Sequence, residues 1–305
     1  MLPNLLEGDA FICLDTIPNN SVQLTITSPP YNIGKIYERG KSMNLQEYTS
    51  WIDPIIDKLC AKATDTGSIC WQVGNYVDNG EIIPLDIIFY NKFRSRGFKL
   101  RNRIIWRFNF GLHATKRFSG RYETLLWFTR GENYVFNLDP VRVPQIYPGK
   151  RHAASKGNGK AGKPSGNPLG KNPADFWEFS AKEFFVDNPV WEIPNVKANH
   201  PEHTVHPCQF PNELAQRCVL ALTREGDIVL DPFAGAGTSV IAALAARRQA
   251  IGIDKSPDYI KLISERVNAY LAGRLRFRPS GLDAASPRIG HAVTTPPSDW
   301  QRGKS

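Results

Sequence analysis

Apolar positions along the chain fall into short runs and helical stripes that alternate over most of its length. Ser21-Val22-Gln23-Leu24-Thr25-Ile26 is rich in β-branched and apolar residues and predicts a strand. Pro29 and Pro30 stop it and leave a rigid turn. Before it, residues 1–20 carry Leu14 and Ile17 and a turn at Pro18-Asn19-Asn20, which reads as a short helix. Residues 45–63 place Leu45, Tyr48, Trp51, Ile52, Ile55, Ile56 and Leu59 at helical spacing, with Pro54 expected to bend the helix or sit near its start. Gly67 to Val73 reads as a buried strand, Ile82 to Phe98 as a second helix, and Arg101–Arg107 and Tyr122–Phe128 as further strands.

The pattern is lost at about residue 144 and returns at His206. Lys150 to Lys171 holds six Lys/Arg, no acid and many small polar residues, which predicts a flexible basic arm. Phe176, Trp177, Phe179, Phe184, Phe185 and Trp191 follow, enough aromatic surface to anchor a small subdomain. Leu214, Cys218 and Leu222 then mark one helix face. Asp227 to Asp231 is a short buried strand, Thr238 to Arg248 an Ala-rich helix, and Ala250 to Asp254 the next strand. Ser256-Pro257 is expected to cap the following helix, whose inward residues are Tyr259, Ile263 and Val267. From Arg274 onward no period remains. Strands alternating with helices predict an α/β fold.

At 305 residues with 41% hydrophobic positions, the chain can bury a large core. A net charge of +9 favours a polyanionic partner, nucleic acid first. Cys13, Cys60, Cys70, Cys208 and Cys218 are odd in number and form no Cys-x-x-Cys pair. This suits a reduced, cytoplasmic chain with no metal site. Glu7 and Asp9 interrupt any leader-like apolar run, and no stretch is long enough to span a bilayer, so no membrane association is expected.

Two stretches carry chemistry. Thr27-Ser28-Pro29-Pro30-Tyr31-Asn32 puts a hydroxyl, two stiff carbonyl acceptors and an aromatic ring at a strand's C-terminal edge, where ligands bind in open α/β sheets. A planar base could place its amine on the acceptors and its face on Tyr31. Pro-Pro-Tyr also serves as a ligand for Pro-binding domains, or as a plain turn. The second stretch is Asp231-Pro232-Phe233-Ala234-Gly235-Ala236-Gly237-Thr238, followed by a helix, a strand and Asp254. Glycines let a backbone approach a ligand, and an acid ending the second strand can accept hydrogen bonds from ribose hydroxyls. A dinucleotide reading fits less well, because Ser239 and Val240 stand where the third glycine would fall. Asp9 could be a ligand carboxylate or a helix N-cap, and local physics favours the cap. The loop 32–41 reads as a mobile element beside the site, and the basic–aromatic run 108–118 suits a nucleic-acid surface.

Together, Ser28-Pro29-Pro30-Tyr31 and Asp231–Thr238 resemble the catalytic and cofactor motifs of the DNA amino-methyltransferases, and His206–Pro211 is similar to the segment completing their cofactor pocket. Catalytic motif first, variable region next and cofactor motif last resembles the beta group of bacterial restriction–modification systems. The resemblance covers about residues 4–272. It implies a Rossmann-like S-adenosylmethionine-dependent methyltransferase fold, a mixed sheet with helices on both faces, circularly permuted motif order and an inserted target-recognition region. The implied organisation is a catalytic half at 4–140, the recognition insert at 141–200, the cofactor half at 201–272 and a disordered tail at 273–305.

Carried over by position, Ser28, Pro29, Pro30 and Tyr31 would be catalytic. Asp9, His206, Phe210, Asp231, Phe233, Gly235, Gly237, Thr238 and Asp254 would bind S-adenosyl-L-methionine. Asp254 would hold the ribose, Asp9 would lie near the adenine, and Asp231 would help position the methionine end. Lys35, Arg107, Lys116, Arg117, Lys156, Lys160 and Lys163 are the expected DNA contacts. Ser at the first motif position resembles the cytosine-N4 enzymes, whereas Asp is usual for adenine-N6. The implied partner is double-stranded DNA, with a companion endonuclease acting separately and the chain a monomer or homodimer. RNA- and protein-glutamine-directed relatives typically carry Asn at that position and the opposite motif order. A non-catalytic DNA-binding role is the remaining rival.

Overall fold

The computed structural model describes residues 2–30, 43–108, 113–145, 147–153, 161–177, 204 and 210–275. The elements in chain order are β1 (Asn4–Glu7), α1 (Ala10–Cys13), β2 (Val22–Thr27), α2 (Leu45–Lys62), β3 (Ala63–Val73), β4 (Asn75–Asp78), β5 (Glu81–Pro84) and α3 (Leu85–Ser95). There follow β6 (Lys99–Arg107), β7 (Tyr122–Thr129), β8 (Phe176–Trp177), α4 (Asn212–Leu222), β9 (Ile228–Asp231), α5 (Thr238–Ala245), β10 (Gln249–Asp254) and α6 (Pro257–Leu271).

Among the described residues, eight strands form one mixed sheet in the order β1-β10-β9-β2-β3-β7-β6-β8. The neighbours β1/β10, β10/β9, β9/β2, β2/β3 and β6/β8 are parallel, and β7 runs against both β3 and β6. Every residue of β2 is buried, as its place in mid-sheet requires.

Alternation along the strands divides the core into two layers. On one face Leu24, Ile26, Cys70, Leu125 and Trp127 pack under α4, α5 and α6 through Leu214, Val219, Val240 and Ile263. On the other, Ile69, Trp71, Leu126 and Phe128 meet α2 and α3 through Ile52, Ile56, Leu59, Phe89 and Phe93. Trp71 touches both Phe89 and Phe93, and Phe93 stacks on Phe128 at 4.7 Å between centroids. The helix α2 opens with a reciprocal capping box between Asn44 and Glu47.

Several sequence expectations need correction. Residues 1–20 hold a strand, β1, as well as a helix. Ile82–Pro84 belongs to the β4–β5 hairpin, so the helix expected at 82–98 covers only Leu85–Ser95. Of the two placements expected for Pro54, the one found is inside α2 and not near its start. The helix after the glycine turn stops at Ala245, short of Arg248. The side chain of Ser256 makes no cap hydrogen bond; its N–H is instead held by Asp254 Oδ1 at 2.9 Å. The basic arm is pinned by antiparallel bridges Val143–Lys171 and Arg151–Pro164. Phe176 and Trp177 extend the main sheet as β8 where a separate subdomain was expected. The remainder of the aromatic cluster and the tail from 276 lie outside the described residues.

Candidate active site

The sheet order contains one reversal of winding. From β9 the chain crosses to β10 on one side, and from β2 it crosses to β3 on the other. The two strands lie side by side, with Leu24 paired to Val229 and Thr25 to Leu230. Beyond the carboxyl ends of such a strand pair, the connections diverge and leave a crevice. Ser28 follows β2 at that edge, and the turn 232–237 follows β9.

A hydrogen bond joins the two turns. Thr27 Oγ1 donates to Asp231 Oδ1 at 2.7 Å, a contact between residues 204 positions apart. Ser239 Oγ donates to Asp231 Oδ2 at 2.5 Å, and Phe233 N–H to Oδ1 at 3.1 Å. Asp231 is 2% exposed. Burial pushes its carboxyl up to about 6 from the ordinary 3.8, although these three donors pull the other way. Neither Thr27 nor Ser239 stands out as a site residue in the sequence. A hydroxyl just before the Ser-Pro-Pro turn and another in the first turn of the following helix are the signal that could have marked them.

Asp254 ends β10, one strand further out. Its Oδ2 accepts from Gly235 N–H at 2.9 Å and its Oδ1 from Ser256 N–H at 2.9 Å. Burial again raises its pKa, with the two N–H groups opposing. The carboxylate is therefore fixed in place and retains lone pairs for further donors. Glu7 pairs with Asp254 across β1/β10, and Gly8 N–H donates to the Asp254 carbonyl at 3.0 Å. This brings Asp9 to the same edge, where it caps α1 by accepting from Phe11 N–H at 2.8 Å.

The turn between β9 and α5 has Gly235 at φ +51° and Gly237 at φ +73°. Left-handed backbone favours glycine at both. At Gly237 an added Cβ would also lie 2.8 Å from Ile263 of α6, so packing there demands a missing side chain independently of any ligand. Arg266 of α6 donates to the Ala236 carbonyl and braces the turn from behind. Thr238 opens α5, and its buried hydroxyl has no hydrogen-bond partner among the described residues. Phe233 is partly buried, its ring 6.0 Å from that of Trp51 on α2. An orphan hydroxyl, a glycine turn at a helix N-terminus and a pre-oriented carboxylate fit a ligand carrying hydroxyl groups and polar ends.

The fold thus gathers Ser28, Asp231, Phe233, Gly235, Gly237, Thr238, Asp254 and Asp9 along one sheet edge. Phe210 is 9% exposed in the core beside α4. Arg107 ends β6 and Lys116 and Arg117 follow it, whereas Lys163 lies on the bridged arm, its carbonyl accepting from His152 N–H at 3.0 Å. Tyr31, Lys35, His206, Lys156 and Lys160 lie outside the described residues. Among the described residues no helix is long and apolar enough to cross a membrane.

Comparison with known proteins agrees with this fold. Type II methyltransferase M.BglII of Bacillus subtilis is 45% identical over 262 residues, covering 86% of this chain and 68% of that protein. DNA adenine methyltransferase YhdJ of Escherichia coli K12 is 31% identical over 268 residues, covering 87% and 82%. Among solved structures, the cytosine-N4-specific PvuII DNA methyltransferase superposes with a TM-score of 0.63 at 19% identity, covering 85% of this chain and 84% of that one. A DNA modification methylase of Thermus thermophilus, solved in complex with S-adenosyl-L-methionine, gives 0.57 at 25% identity, covering 89% and 97%. The family described as DNA methylase matches residues 22–265, four-fifths of the sequence, and the chain belongs to that family of N6/N4 amino-methyltransferases.

Proposed function

We propose that the protein methylates the exocyclic N4 of cytosine at a specific site in duplex DNA, as the modification enzyme of a restriction–modification system. The observation that carries the reading is the Thr27–Asp231 hydrogen bond, which holds the Ser28 turn and the glycine turn against each other at the sheet's switch point. S-adenosyl-L-methionine supplies the electrophilic methyl group. Asp254 accepts from the ribose hydroxyls, the Thr238 hydroxyl and the 233–237 backbone receive the polar end, and Asp9 borders the adenine. Both Asp231 oxygens are occupied by protein donors, so this residue positions the two turns.

The target base leaves the duplex. Ser28 Oγ and the Pro29 carbonyl accept its two amine hydrogens, which keeps electron density on nitrogen and orients its lone pair, while Tyr31 stacks on the ring. Nitrogen forms its bond to the methyl carbon as the carbon–sulfur bond breaks, and the electron pair stays on sulfur. The proton leaves nitrogen after transfer, since a serine hydroxyl is a weak base. Orientation supplies much of the acceleration. Lys35, Arg107, Lys116, Arg117, Lys156, Lys160 and Lys163 neutralise backbone phosphates, and residues 141–200 choose the site.

Ser28 in place of an acid supports cytosine as the target. Adenine N6 is the second reading, favoured by 31% identity to a protein named as a DNA adenine methyltransferase. Methyl transfer from labelled S-adenosylmethionine to mixed-sequence duplex DNA, followed by digestion to nucleosides and mass analysis, separates them. N4-methylcytosine is expected. N6-methyladenine would overturn the base assignment, and unlabelled DNA would overturn the substrate.

A further inference from the structure

Phe118 is 99% exposed, more than any other large apolar side chain among the described residues. A fully hydrated phenyl ring gains free energy when a partner covers it. Its surroundings identify the cover. The segment 113–121 reads His-Ala-Thr-Lys-Arg-Phe-Ser-Gly-Arg, with no acid, and Lys116 and Arg117 beside the ring are also exposed. An aromatic ring flanked by cations matches a polyanion that offers flat apolar faces, which is a nucleic acid.

The segment is held firmly enough to present the ring. Phe108 N–H donates to the Arg121 carbonyl at 2.9 Å, closing its base, and Ala114 N–H donates to Ser119 Oγ at 3.1 Å. Gln72 Nε2 donates to Glu123 Oε2 at 2.6 Å and ties the start of β7 to β3. Its position also matters. Thr27 pairs with Trp71, and Val73, two residues nearer the edge, pairs with Thr124. The segment therefore leaves the sheet at the same edge as Ser28. Strands lie about 4.8 Å apart, so its two roots stand about 10 and 14 Å from β2. That places the segment beside the catalytic turn, within reach of the duplex from which the target base is drawn.

We infer that Phe118 is a wedge residue: its ring enters the base stack beside the target and fills the space the flipped base leaves. This rests on the reading of the protein as a base-flipping DNA methyltransferase. Flipping a paired base costs stacking and pairing, and an inserted apolar ring offsets part of that. Lys116 and Arg117 hold the flanking phosphates while the ring enters. A base already unpaired needs the wedge least.

The test uses the full chain, labelled S-adenosylmethionine and bacteriophage DNA to map the methylated site, then short duplexes carrying that site. In one duplex the target base is paired; in the other it faces an abasic position. On the paired duplex Phe118→Ala is expected to lose roughly tenfold or more in kcat/KM, the scale of one base–aromatic stack. Cofactor affinity should stay within about twofold, and the defect should shrink severalfold on the abasic duplex. Phe118→Trp should retain the wild-type rate. An unchanged rate for Phe118→Ala on paired DNA would overturn the wedge, and so would an equal loss on both duplexes. A wild-type protein that methylates no DNA would instead remove the functional reading beneath it. Because the ring touches no core, folding of the variants is not at issue.

Discussion

Replacing Asp231 by asparagine isolates the energetics of the contact that joins the two halves of the site. An amide can keep every observed bond: its oxygen accepts from Thr27 Oγ1 and Phe233 N–H, and its nitrogen donates to Ser239 Oγ, which turns to accept. Only the titration is lost. In the wild type the folded carboxyl titrates at about 6, against 3.8 ordinarily. The folded state binds this proton more tightly than the unfolded chain does. Its contribution to stability is therefore complete below the unfolded pKa and disappears as pH rises through the folded one. The rise from 3.8 to about 6 corresponds to about 3 kcal/mol in total, of which about 1.4 kcal/mol falls between about pH 5 and about pH 7.5. Urea unfolding of both proteins at those two pH values measures it. The wild type should lose about 1.4 kcal/mol relative to Asp231→Asn on going to the higher pH, whatever the other groups do. A difference between the two proteins that does not change with pH would refute the reasoning, because it would mean the three donors fully offset the cost of burying the charge.

Three further outcomes are expected. Ser28→Ala should lower kcat by one to two orders of magnitude while cofactor affinity, read by calorimetry, stays within about twofold; a large loss of cofactor affinity would contradict an amine-binding role. Asp254→Ala should raise the cofactor KM and also lower stability by about 1–3 kcal/mol, because the Gly235 and Ser256 N–H groups lose their acceptor. An unchanged KM would move the ribose site elsewhere. Neutralising Lys116, Arg117 and Lys163 together should weaken duplex binding and reduce the slope of log affinity against log salt by about three; salt dependence identical to wild type would remove these residues from the phosphate contacts.

The elements that were legible in the sequence are those with a strong period or a buried run. Seven stripe positions marked α2, alternation of basic and apolar residues marked β6, and β2, β3, β7, β9 and β10 were marked by β-branched or continuous apolar segments. The misread elements are short or depend on distant partners. β1 has four residues and becomes a strand only because Ile251 to Asp254 lies beside it. Ile82–Ile83–Pro84 carries apolar residues compatible with the helix that follows, and pairing with Asn75–Val77 makes it a hairpin. Phe176 and Trp177 look like a local aromatic cluster until they are paired with Ile105 and Trp106. At the site, the motif residues were legible because their types are restricted by chemistry. Thr27, Ser239 and Arg266 were not, because hydroxyls and an arginine become informative only when a carboxylate or carbonyl 8 to 204 residues away is brought against them.

The pairing of β2 with β9 also constrains when the protein can become active. The first strand of the site is complete within the first tenth of the chain, yet its neighbour is separated from it by some 200 residues. Closing so long a loop has an entropic cost, so this pairing is expected to form after the local hairpins and helices. During synthesis β2 can bind β3, but its other edge stays open until the C-terminal quarter of the chain emerges. A truncated or stalled chain would thus carry the Ser28 turn without the strand that makes it a pocket. Methyl transfer is therefore expected to require both motif-bearing parts, because a chain without β9 and β10 has neither the glycine turn nor Asp254.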